Sequence, residues 1–381
     1  MHRKIGNNLN NIELVHSGDD YFQRLIYLIS KAKTEIHLQT YIFDNDETGK
    51  EIANELIEAV KRNVQVFVLV DGYGSQNLTT IFIENLIKNG VNFRLFSPFF
   101  SKNNFYIGRR LHHKIVVADG KIALVGGINI ANKYRGSQAE IPWLDCAVQV
   151  ENQTICKPLQ ELCSNIYLKK TKNSKQPIFT DSNETVKILQ NDWLKQKNEI
   201  CNAYTHSFYN ANEEIIIVAS YFLPSRRLRN VLRIAARKNV KIKIVLSGLS
   251  DIPVVMWATK FLYGSLLKQG MELYEWEKSV LHGKFAVVDN HWTTIGSFNL
   301  NHLSSYGSIE MNVAINSDDF GKITSKYLYT IIEQCDKIIF DTLEKRNGIF
   351  RRFRNFISYY FVRIVLIIGT YISRKRFLKF Y

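Results

Sequence analysis

Apolar and polar residues follow the same order in the two halves of this chain. Each half opens with a run rich in apolar and β-branched residues, at positions 35–43 (EIHLQTYIF) and 214–222 (EIIIVASYF), and such runs are typical of buried strands. Apolar residues then recur every three to four positions at 50–62 and 226–238, which predicts two helices with one face toward a core. Further strands are predicted at 63–70, 89–96, 239–246 and 269–276.

The alternation of strands and helices predicts an α/β fold. Strands that are joined through helices form right-handed β-α-β units, so we expect mainly parallel sheets. A hairpin follows in each half, around a turn at Asp119 and around positions 289–292. A run of Lys, Thr, Asn, Ser and Pro at 169–182 is typical of a linker. We therefore divide the chain into lobes at 1–172 and 173–344, followed by a tail at 345–381.

The tail differs in character from the two lobes. It holds 10 of the 50 Lys and Arg residues and no Asp or Glu, and positions 356–372 are almost wholly apolar around a central Arg363. This apolar stretch is shorter than the roughly 20 residues that a membrane-spanning helix needs. We expect an interfacial or re-entrant amphipathic segment, held by apolar insertion and by attraction to anionic lipid. The alternative is a C-terminal helix that packs on the body with a basic exposed face.

Composition narrows the class of protein. With 46% hydrophobic and 22% charged residues the chain is a folded protein. The net charge is +15, but outside the tail 40 basic residues face 35 acidic ones. A nucleic-acid groove would spread positive charge over the folded domains, so no nucleic-acid partner is expected. Five cysteines without a CxxC pair indicate a reduced compartment, with at most one disulfide, and no structural zinc.

The candidate chemistry lies in a five-residue pattern that occurs twice. The two copies are separated by 170 residues and consist of His112, Lys114, Asp119, Gly126 and Asn129, and of His282, Lys284, Asp289, Gly296 and Asn299. A chance match at five positions is on the order of 10⁻⁶ per start position. Residues two apart on a strand project from one face, so each His and its Lys point the same way. The repeat predicts two imidazoles and two ammonium groups around one site.

These residue types suit the cleavage of a phosphodiester. Neutral imidazole attacks phosphorus, and imidazolium protonates an alkoxide leaving group. Two lysines supply positive charge where phosphate oxygens gather negative charge in the transition state. Asn129, Ser297 and Asn299 add hydrogen-bond donors around those oxygens. No cluster of carboxylates or cysteines offers a metal site, so we expect a reaction through a phosphohistidine without metal or cofactor.

Four carboxylates accompany the motif. Asp119 and Asp289 belong to the repeated pattern, but each lies at a hairpin turn, where Asp is favoured for reasons of backbone geometry alone. Asp145 and Glu310 each open a later strand. Each of these two is a candidate partner for the far ring nitrogen of a motif histidine, which would fix its tautomer. The alternative for Asp145 and Glu310 is a surface carboxylate at the start of a strand.

At these residues the sequence resembles the phospholipase D superfamily, whose mark is a doubled HxKx₄D motif. It is similar, more closely, to the bacterial cardiolipin synthases that lack N-terminal transmembrane helices. The similarity extends over about residues 5–340 and includes the segments at 6–7, 17–19, 41–43, 71–75 and 221–225. One departure is Gly127, which stands where the superfamily often has a serine, as at Ser297.

The resemblance implies two similar α/β/α sandwich lobes with one active site at their seam. It implies a phosphatidyl-histidine intermediate on one His, while the other His protonates the leaving group and then deprotonates the acceptor. The implied catalytic residues are His112, Lys114, Asp119, His282, Lys284 and Asp289. The implied phosphate-binding residues are Asn129, Ser297 and Asn299, with Asp145 and Glu310 orienting the histidines. By analogy His112 is the nucleophile and His282 the acid and base.

The expected function is a cardiolipin synthase that joins two phosphatidylglycerol molecules and releases glycerol. We expect it as a peripheral or monotopic protein on the cytoplasmic face of a bacterial cell membrane, reached through the tail. Hydrolysis to phosphatidic acid, or transfer to another alcohol or to phosphatidylethanolamine, is the first alternative, because water and alcohols compete for the same intermediate. A nucleic-acid phosphodiesterase and a membrane scaffold without activity remain as further alternatives.

Overall fold

The computed structural model describes residues 12–98, 100–101, 104–105, 109–170, 178–181, 184–192, 195, 197–301, 307–341, 343 and 348–377. Within these ranges the chain forms two mixed sheets with helices packed on them, so the predicted α/β fold class with a duplicated lobe is confirmed. The boundaries predicted at 172 and 344 lie outside the described residues. No two cysteines of the described part form a disulfide.

The first half forms a sheet of seven strands in the order β1-β10-β9-β8-β2-β3-β4. The strands of this half are β1 (Ile12–His16), β2 (Glu35–Thr40), β3 (Gln65–Asp71), β4 (Asn92–Phe96), β5 (Phe100–Ser101), β6 (Asn104–Phe105), β7 (Arg110–Leu111), β8 (Lys114–Ala118), β9 (Ile122–Gly126) and β10 (Cys146–Val150). Strands β5 and β6 pair with each other, and β7 leaves the first half to pair with the second.

The second half repeats the central order of strands. Its strands are β11 (Ile178–Asp181), β12 (Glu184–Asp192), β13 (Lys197–Asn198), β14 (Glu214–Ala219), β15 (Lys241–Ser247), β16 (Glu272–Trp276), β17 (Lys284–Val288), β18 (Trp292–Gly296), β19 (Ser308–Asn316) and β20 (Asp336–Ile338). The run β19-β18-β17-β14-β15-β16 corresponds to β10-β9-β8-β2-β3-β4 of the first half. The repeated sequence pattern is therefore a repeated sheet.

The prediction of mainly parallel sheets is wrong. Apart from the two-residue pairing of β7 with β19, the parallel strands are β2-β3-β4 and β14-β15-β16, and the other neighbouring strands of the two sheets pair antiparallel. The reason is the motif hairpin. In each half it inserts beside the first strand of the β-α-β unit, and the following strand returns along it, so the hairpin side of each sheet is antiparallel.

Helices cover the sheets where the apolar period predicts them. The helices are α1 (Asp19–Lys31), α2 (Glu47–Lys61), α3 (Thr80–Lys88), α4 (Asn132–Arg135), α5 (Gln153–Tyr167), α6 (Glu199–Tyr209), α7 (Arg226–Arg237), α8 (Pro253–Lys268), α9 (Asp318–Ile332) and α10 (Ile349–Phe377). Helix α2 begins after Asp46, whose side chain accepts a hydrogen bond from the N–H of Gly49, and α7 begins in the same way after Ser225. Such caps satisfy N–H groups that a helix leaves unpaired.

A shared core joins the two sheets. Residues from β8, β9 and β10 form one buried cluster with residues from β14, β17, β18 and β19, and helices α5 and α9 contribute to it. Separate clusters lie on the outer sides of the two sheets. Because the sheets share apolar contacts next to the motif hairpins, they fix the position of one hairpin relative to the other.

The tail forms a helix that packs on the second lobe. Helix α10 lies along α8, with the ring of Tyr359 4.6 Å from the ring of Phe261, and Tyr359 and Val362 are buried. The opposite side of α10 exposes apolar residues, including Phe353, Phe361 and Ile364. Packing on the body was the alternative expectation for this segment. Among the helices in the described ranges, we find none with the length and hydropathy to cross a membrane.

Candidate active site

The two motif histidines lie where the halves of the chain meet. Strand β7 pairs in parallel with the start of β19, and the N–H of His112 donates to the carbonyl of Ile309 at 3.0 Å. The other half repeats this contact, because Leu144 bridges to Leu281 and the N–H of His282 donates to the carbonyl of Leu144 at 2.8 Å. The backbone of each motif histidine is therefore held by the opposite half.

The side chains of the histidines are also paired across the seam. Nδ1 of His112 lies 2.9 Å from Oε2 of Glu310, and Nδ1 of His282 lies 2.6 Å from Oδ2 of Asp145. Both carboxylates are buried. A carboxylate at Nδ1 favours the tautomer that leaves the lone pair on Nε2, and it stabilises the imidazolium when Nε2 takes a proton. Each half thus supplies the carboxylate that orients the histidine of the other.

Two lysines complete the charge of the site. Lys114 and Lys284 open strands β8 and β17 and are each only 2% exposed. Each ammonium donates a hydrogen bond to the carbonyl of the histidine two residues before it, and Nζ of Lys284 lies 4.0 Å from Oδ2 of Asp145. Burying an ammonium is costly unless an anion or hydrogen-bond acceptors compensate it. Two such groups side by side make a site suited to an anionic ligand.

Burial and like charges set the protonation of the empty site. Burial, with repulsion from Lys284, lowers the pKa of Lys114 to about 7, and burial lowers the pKa of Lys284 to about 8. Burial lowers the pKa of His112, while burial and the two lysines lower that of His282 well below its ordinary value. Both imidazoles are therefore neutral near pH 7. Burial raises the pKa of Asp145 to about 7.

The structure explains why position 127 is a glycine, where the second copy of the motif has Ser297. An added Cβ at Gly127 would lie 2.3 Å from Oδ1 of Asp145, so the carboxylate occupies the space of a side chain at this position. In the other half Ser297 donates from its hydroxyl to Oε2 of Glu310 at 2.5 Å and accepts from the N–H of Met311 at 3.0 Å. The shorter Asp145 approaches the backbone itself, whereas the longer Glu310 is supported by a serine.

The side chain of Asn129 is hydrogen-bonded to two neighbours, Ile42 and Tyr134. Its Oδ1 accepts from the N–H of Ile42 at 2.9 Å, and its Nδ2 donates to the hydroxyl of Tyr134 at 2.7 Å. The hydroxyl of Tyr134 lies 3.4 Å from Nε2 of His282. Asn299, three residues beyond β18, is buried. The structure thus places Asn129 one residue away from the reacting histidine, with Tyr134 between them.

The two motif aspartates do not join the site. Asp119 has a φ of 53° and its carboxylate accepts from the N–H groups of Lys33, Thr34 and Glu35 at 2.8–3.0 Å. Asp289 makes the matching contacts with the N–H groups of residues 212–214. Both lie at the hairpin turns, at the opposite end of β8 and β17 from the lysines. These contacts hold each hairpin to the start of the neighbouring strand, and the catalytic role expected of Asp119 and Asp289 stays a prediction.

Sequence reasoning missed several residues around the histidines. The ring of Tyr134 lies 5.2 Å from the ring of His282, and the ring of Trp143 lies 6.0 Å from it. Asp71, at the end of β3, accepts from the N–H of Leu111 at 2.9 Å and so fixes the residue before His112. Tyr134 and Trp143 lie in a polar stretch without periodicity. Only their distance from the motif, a few residues in sequence, could have pointed to them.

Comparison with known proteins identifies the family. The family model described as "Cardiolipin synthase, PLD-like domain" matches residues 25–167 and 204–332. Cardiolipin synthase B of Escherichia coli (strain K12) is 32% identical over 370 residues, which are 93% of this chain and 88% of that protein. A cardiolipin synthase of Clostridium perfringens (strain 13 / Type A) is 30% identical over 357 residues, which are 90% of this chain and 74% of that protein.

Solved structures share the fold at low sequence identity. The crystal structure of phosphatidylserine synthase from Haemophilus influenzae Rd KW20 has a TM-score of 0.73 and 15% identity, and the match covers 96% of each chain. Polyphosphate kinase from Porphyromonas gingivalis has a TM-score of 0.59 and 15% identity, covering 84% of this chain and 46% of that one. Together with the family model and the curated relatives, this fold establishes that the chain belongs to the cardiolipin synthase family of phospholipase D-like proteins.

Proposed function

We propose that this chain is a cardiolipin synthase, which transfers a phosphatidyl group from one phosphatidylglycerol to another. The observation that carries the proposal is the seam of the two lobes. There two neutral histidines, each oriented by a buried carboxylate, lie beside two buried lysines. In such a site the lysines bind the phosphodiester, one histidine attacks its phosphorus, and the other histidine transfers the protons. Relatives that cover most of the chain are cardiolipin synthases.

In the first step one histidine attacks and the other protonates. Nε2 of His112 attacks the phosphorus of phosphatidylglycerol, and the bond from phosphorus to the glycerol oxygen breaks. His282 donates its proton to that oxygen, and glycerol leaves. The bound phosphate compensates Lys114 and Lys284, which removes the repulsion that lowers the pKa of His282 and allows it to be protonated. The lysines then stabilise the charge on the phosphate oxygens in the transition state.

The second step reverses the roles of proton donor and acceptor. His282, now neutral, accepts the proton from the terminal hydroxyl of a second phosphatidylglycerol. The oxygen of that hydroxyl attacks the phosphorus, the bond from phosphorus to Nε2 of His112 breaks, and cardiolipin forms. Glu310 stabilises the developing charge on His112, and Asp145 does the same for His282.

The assignment of His112 as nucleophile rests on an asymmetry of contacts. Nε2 of His282 lies near the hydroxyl of Tyr134, which suits an exchange of protons. The side chain of His112 is 14% exposed against 8% for His282, so it is the more accessible ring for a phosphorus atom. We therefore propose His112 as nucleophile and His282 as acid and base.

A substrate with a good leaving group separates the two roles. A phosphatidyl ester of p-nitrophenol leaves without protonation, so a His282→Ala variant should still form the covalent intermediate on His112. It should then accumulate the intermediate, because no base activates the acceptor. Intact-protein mass spectrometry should show the phosphatidyl adduct in His282→Ala and none in His112→Ala. An adduct on His282 in the His112→Ala variant would reverse the assignment.

The activity is tested by lipid mass spectrometry in cells that lack their own cardiolipin synthases. Cells that express the intact chain should accumulate cardiolipin, and cells that express His112→Ala should not. If phosphatidic acid or a lipid with another headgroup accumulates instead, the mechanism stands but the acceptor is water or another alcohol. An unchanged lipid composition with the intact chain, expressed and folded, would contradict a role in phospholipid synthesis.

We further propose that the protein associates peripherally with the cytoplasmic face of a bacterial membrane through α10. The side of α10 away from α8 is apolar, and basic residues flank it, an arrangement that binds anionic lipid surfaces. The exposed large hydrophobic residues in the described part of this helix are Ile349, Phe350, Phe353, Phe356, Ile357, Tyr360, Phe361, Ile364, Val365 and Ile368. Phosphatidylglycerol, the proposed substrate, lies in such a surface.

Vesicle sedimentation tests this association. The intact protein should sediment with vesicles that contain phosphatidylglycerol, and the triple variant Phe353→Ser, Phe361→Ser and Ile364→Ser should stay in solution. A matched control removes equally exposed apolar residues elsewhere, with Tyr27→Ser, Ile81→Ser and Ile141→Ser. If the control loses binding as much as the tail variant does, α10 is not the membrane contact.

A further inference from the structure

A cavity of about 490 Å³ lies outside the seam, between the second lobe and α10. Its walls come from α6, from residues 223–228 at the start of α7, from α8, from Phe298, Leu300 and Asn301, and from the inner side of α10. None of the motif histidines or lysines lines it. The volume is within the range of about 300–1,000 Å³ that holds small organic ligands.

The charged residues of the cavity are all basic. Arg226 and Arg227, at the start of α7, and Arg363, on α10, line it, and no Asp or Glu is among the described residues of its walls. The guanidinium of Arg363 donates to the hydroxyl of Tyr359 at 2.9 Å, and that of Arg227 donates to Oδ1 of Asn202 at 3.4 Å. These partners are neutral, so they hold two of the guanidinium groups in place without compensating their charge. The cavity therefore suits an anion with several oxygens, such as a phosphate ester.

The remaining wall of the cavity is apolar. Leu223, Leu262, Phe298, Leu300 and Leu366 line it, from three different parts of the second lobe and from the tail. A free phosphate would leave this surface in contact with water. A ligand that joins a phosphate to a hydrocarbon chain uses both parts, since burial of apolar area stabilises the complex.

The cavity is separate from the motif residues. Phe298 and Leu300 line it, but Asn299 of the second motif, which stands between them in sequence, does not. The cavity is therefore a compartment next to the segment that carries Asn299.

We propose that this cavity binds an intact anionic phospholipid that is not consumed in the reaction. Its phosphate would contact Arg226, Arg227 and Arg363, and the first part of its acyl chains would lie against the apolar wall. Helix α10 forms one side of the cavity and exposes its other side, so the cavity lies next to the surface through which α10 is proposed to contact the membrane. The inference rests on the proposed membrane association of α10 and is independent of the reaction at the seam.

Photo-crosslinking tests the site directly. A phosphatidylglycerol with a diazirine near the start of one acyl chain is mixed into phosphatidylcholine vesicles with the full chain, and the adducts are mapped by peptide mass spectrometry. Adducts are expected at the residues of α6 and α10 that line the cavity, which include Cys201, Asn202, Thr205, Tyr359, Arg363 and Leu366. The same adducts are expected in the His112→Ala background, because no turnover is needed.

Charge variants supply the matched comparison. Arg226→Gln, Arg227→Gln and Arg363→Gln together should reduce the cavity adducts at least tenfold. The control removes the same number of charges from the same two helices outside the cavity, with Arg233→Gln, Arg237→Gln and Arg352→Gln. Thr205→Trp fills the cavity without a change of charge and should also reduce the adducts. Added glycerol phosphate, which has the anion but no acyl chain, should compete poorly.

The outcomes separate this inference from the membrane association. Adducts confined to the outer face of α10 or to the seam, in protein that sediments with the vesicles, would overturn the cavity as a lipid site and leave the peripheral association intact. Equal losses in the cavity variant and its control would show that bulk charge alone attracts the lipid, which also overturns the proposal. Full competition by glycerol phosphate would replace the lipid by a free phosphate ester.

Discussion

At the scale of single residues, Tyr134 makes the two motif histidines unequal. Asn129 donates to its hydroxyl, which leaves the phenol proton for Nε2 of His282. A hydrogen bond to the neutral ring lowers the pKa of His282, and its removal in Tyr134→Phe should raise that pKa. We expect kcat to fall about tenfold and the alkaline limb of the rate profile to move to higher pH, because the protonated acid persists there.

The pH profile distinguishes this role from mere packing. Tyr204→Phe removes another buried hydroxyl in the core of the second lobe and serves as the control. It should leave the shape of the profile unchanged, even if it lowers stability. A profile of Tyr134→Phe that coincides with that of the intact protein after scaling would contradict the contact with His282.

Gly127 and Ser297 should respond differently to similar substitutions. Gly127→Ala places a Cβ on Asp145, which must move away from His282, so we expect a loss of kcat on the order of 10²- to 10⁴-fold. Ser297→Ala removes one donor to Glu310 and should cost about tenfold. In Gly264→Ala, on α8, the added Cβ would meet only Cδ2 of Leu343 at 3.9 Å, an ordinary contact, so activity should not change. Steady-state assays on folded protein check the order, and an active Gly127→Ala would refute the close approach.

At the scale of elements, Asp119 holds the motif hairpin to the start of β2. Although partial burial opposes it, bonds from backbone N–H groups keep the pKa of Asp119 below its ordinary value. Asp119→Ala should lower the free energy of unfolding by about 2 kcal/mol, because it removes several bonds to a charged group and puts Ala at a left-handed φ. The rate per folded molecule should change little.

The pH dependence of this effect has a definite sign. The folded pKa of Asp119 is depressed, so its stabilisation is present above the ordinary carboxyl pKa of about 4 and disappears as the pH falls through the folded pKa. The difference in unfolding free energy between Asp119→Ala and the intact chain, measured in urea, should therefore be larger at pH 7 than in acid, where only the cost of Ala at a left-handed φ remains. A variant that unfolds normally but has lost its activity would instead support the catalytic role expected of Asp119.

At the scale of the whole molecule, the repeat could be predicted from the sequence, but the contacts that each half makes with the histidine of the other half could not. The doubled motif and the apolar periods gave the two similar sheets, because strand and helix patterns are local. The sequence named Asp145 and Glu310 but could not say which histidine each contacts, since that depends on how two lobes pack. The place of the hairpins in the sheets and the docking of α10 on α8 also depend on tertiary packing, which local sequence patterns do not determine.

The packing of the two lobes also brings Lys114 and Lys284 together, and their lowered pKa values predict uptake of protons on anion binding. Burial and repulsion favour the neutral form of Lys114, whose pKa is about 7, so at pH 8 it is largely uncharged in the free protein. A bound oxyanion raises the pKa of Lys114 again, so the protein should take up on the order of one proton from solution for each anion that binds. Calorimetric titration with tungstate at pH 8, in Tris and in Hepes, measures this uptake as a difference in heat between buffers.

Two substitutions identify the source of these protons. Lys114→Met should remove most of the dependence on buffer, because the remaining Lys284, with a pKa of about 8, is already half charged at this pH. Lys121→Met, at the exposed hairpin turn, removes the same charge far from the seam and should keep the dependence of the intact protein. Equal heats in both buffers for the intact protein, or a release of protons, would mean that both lysines are already charged in the empty site. Burial, together with repulsion from two charged lysines, would still keep the pKa values of both histidines low in that case.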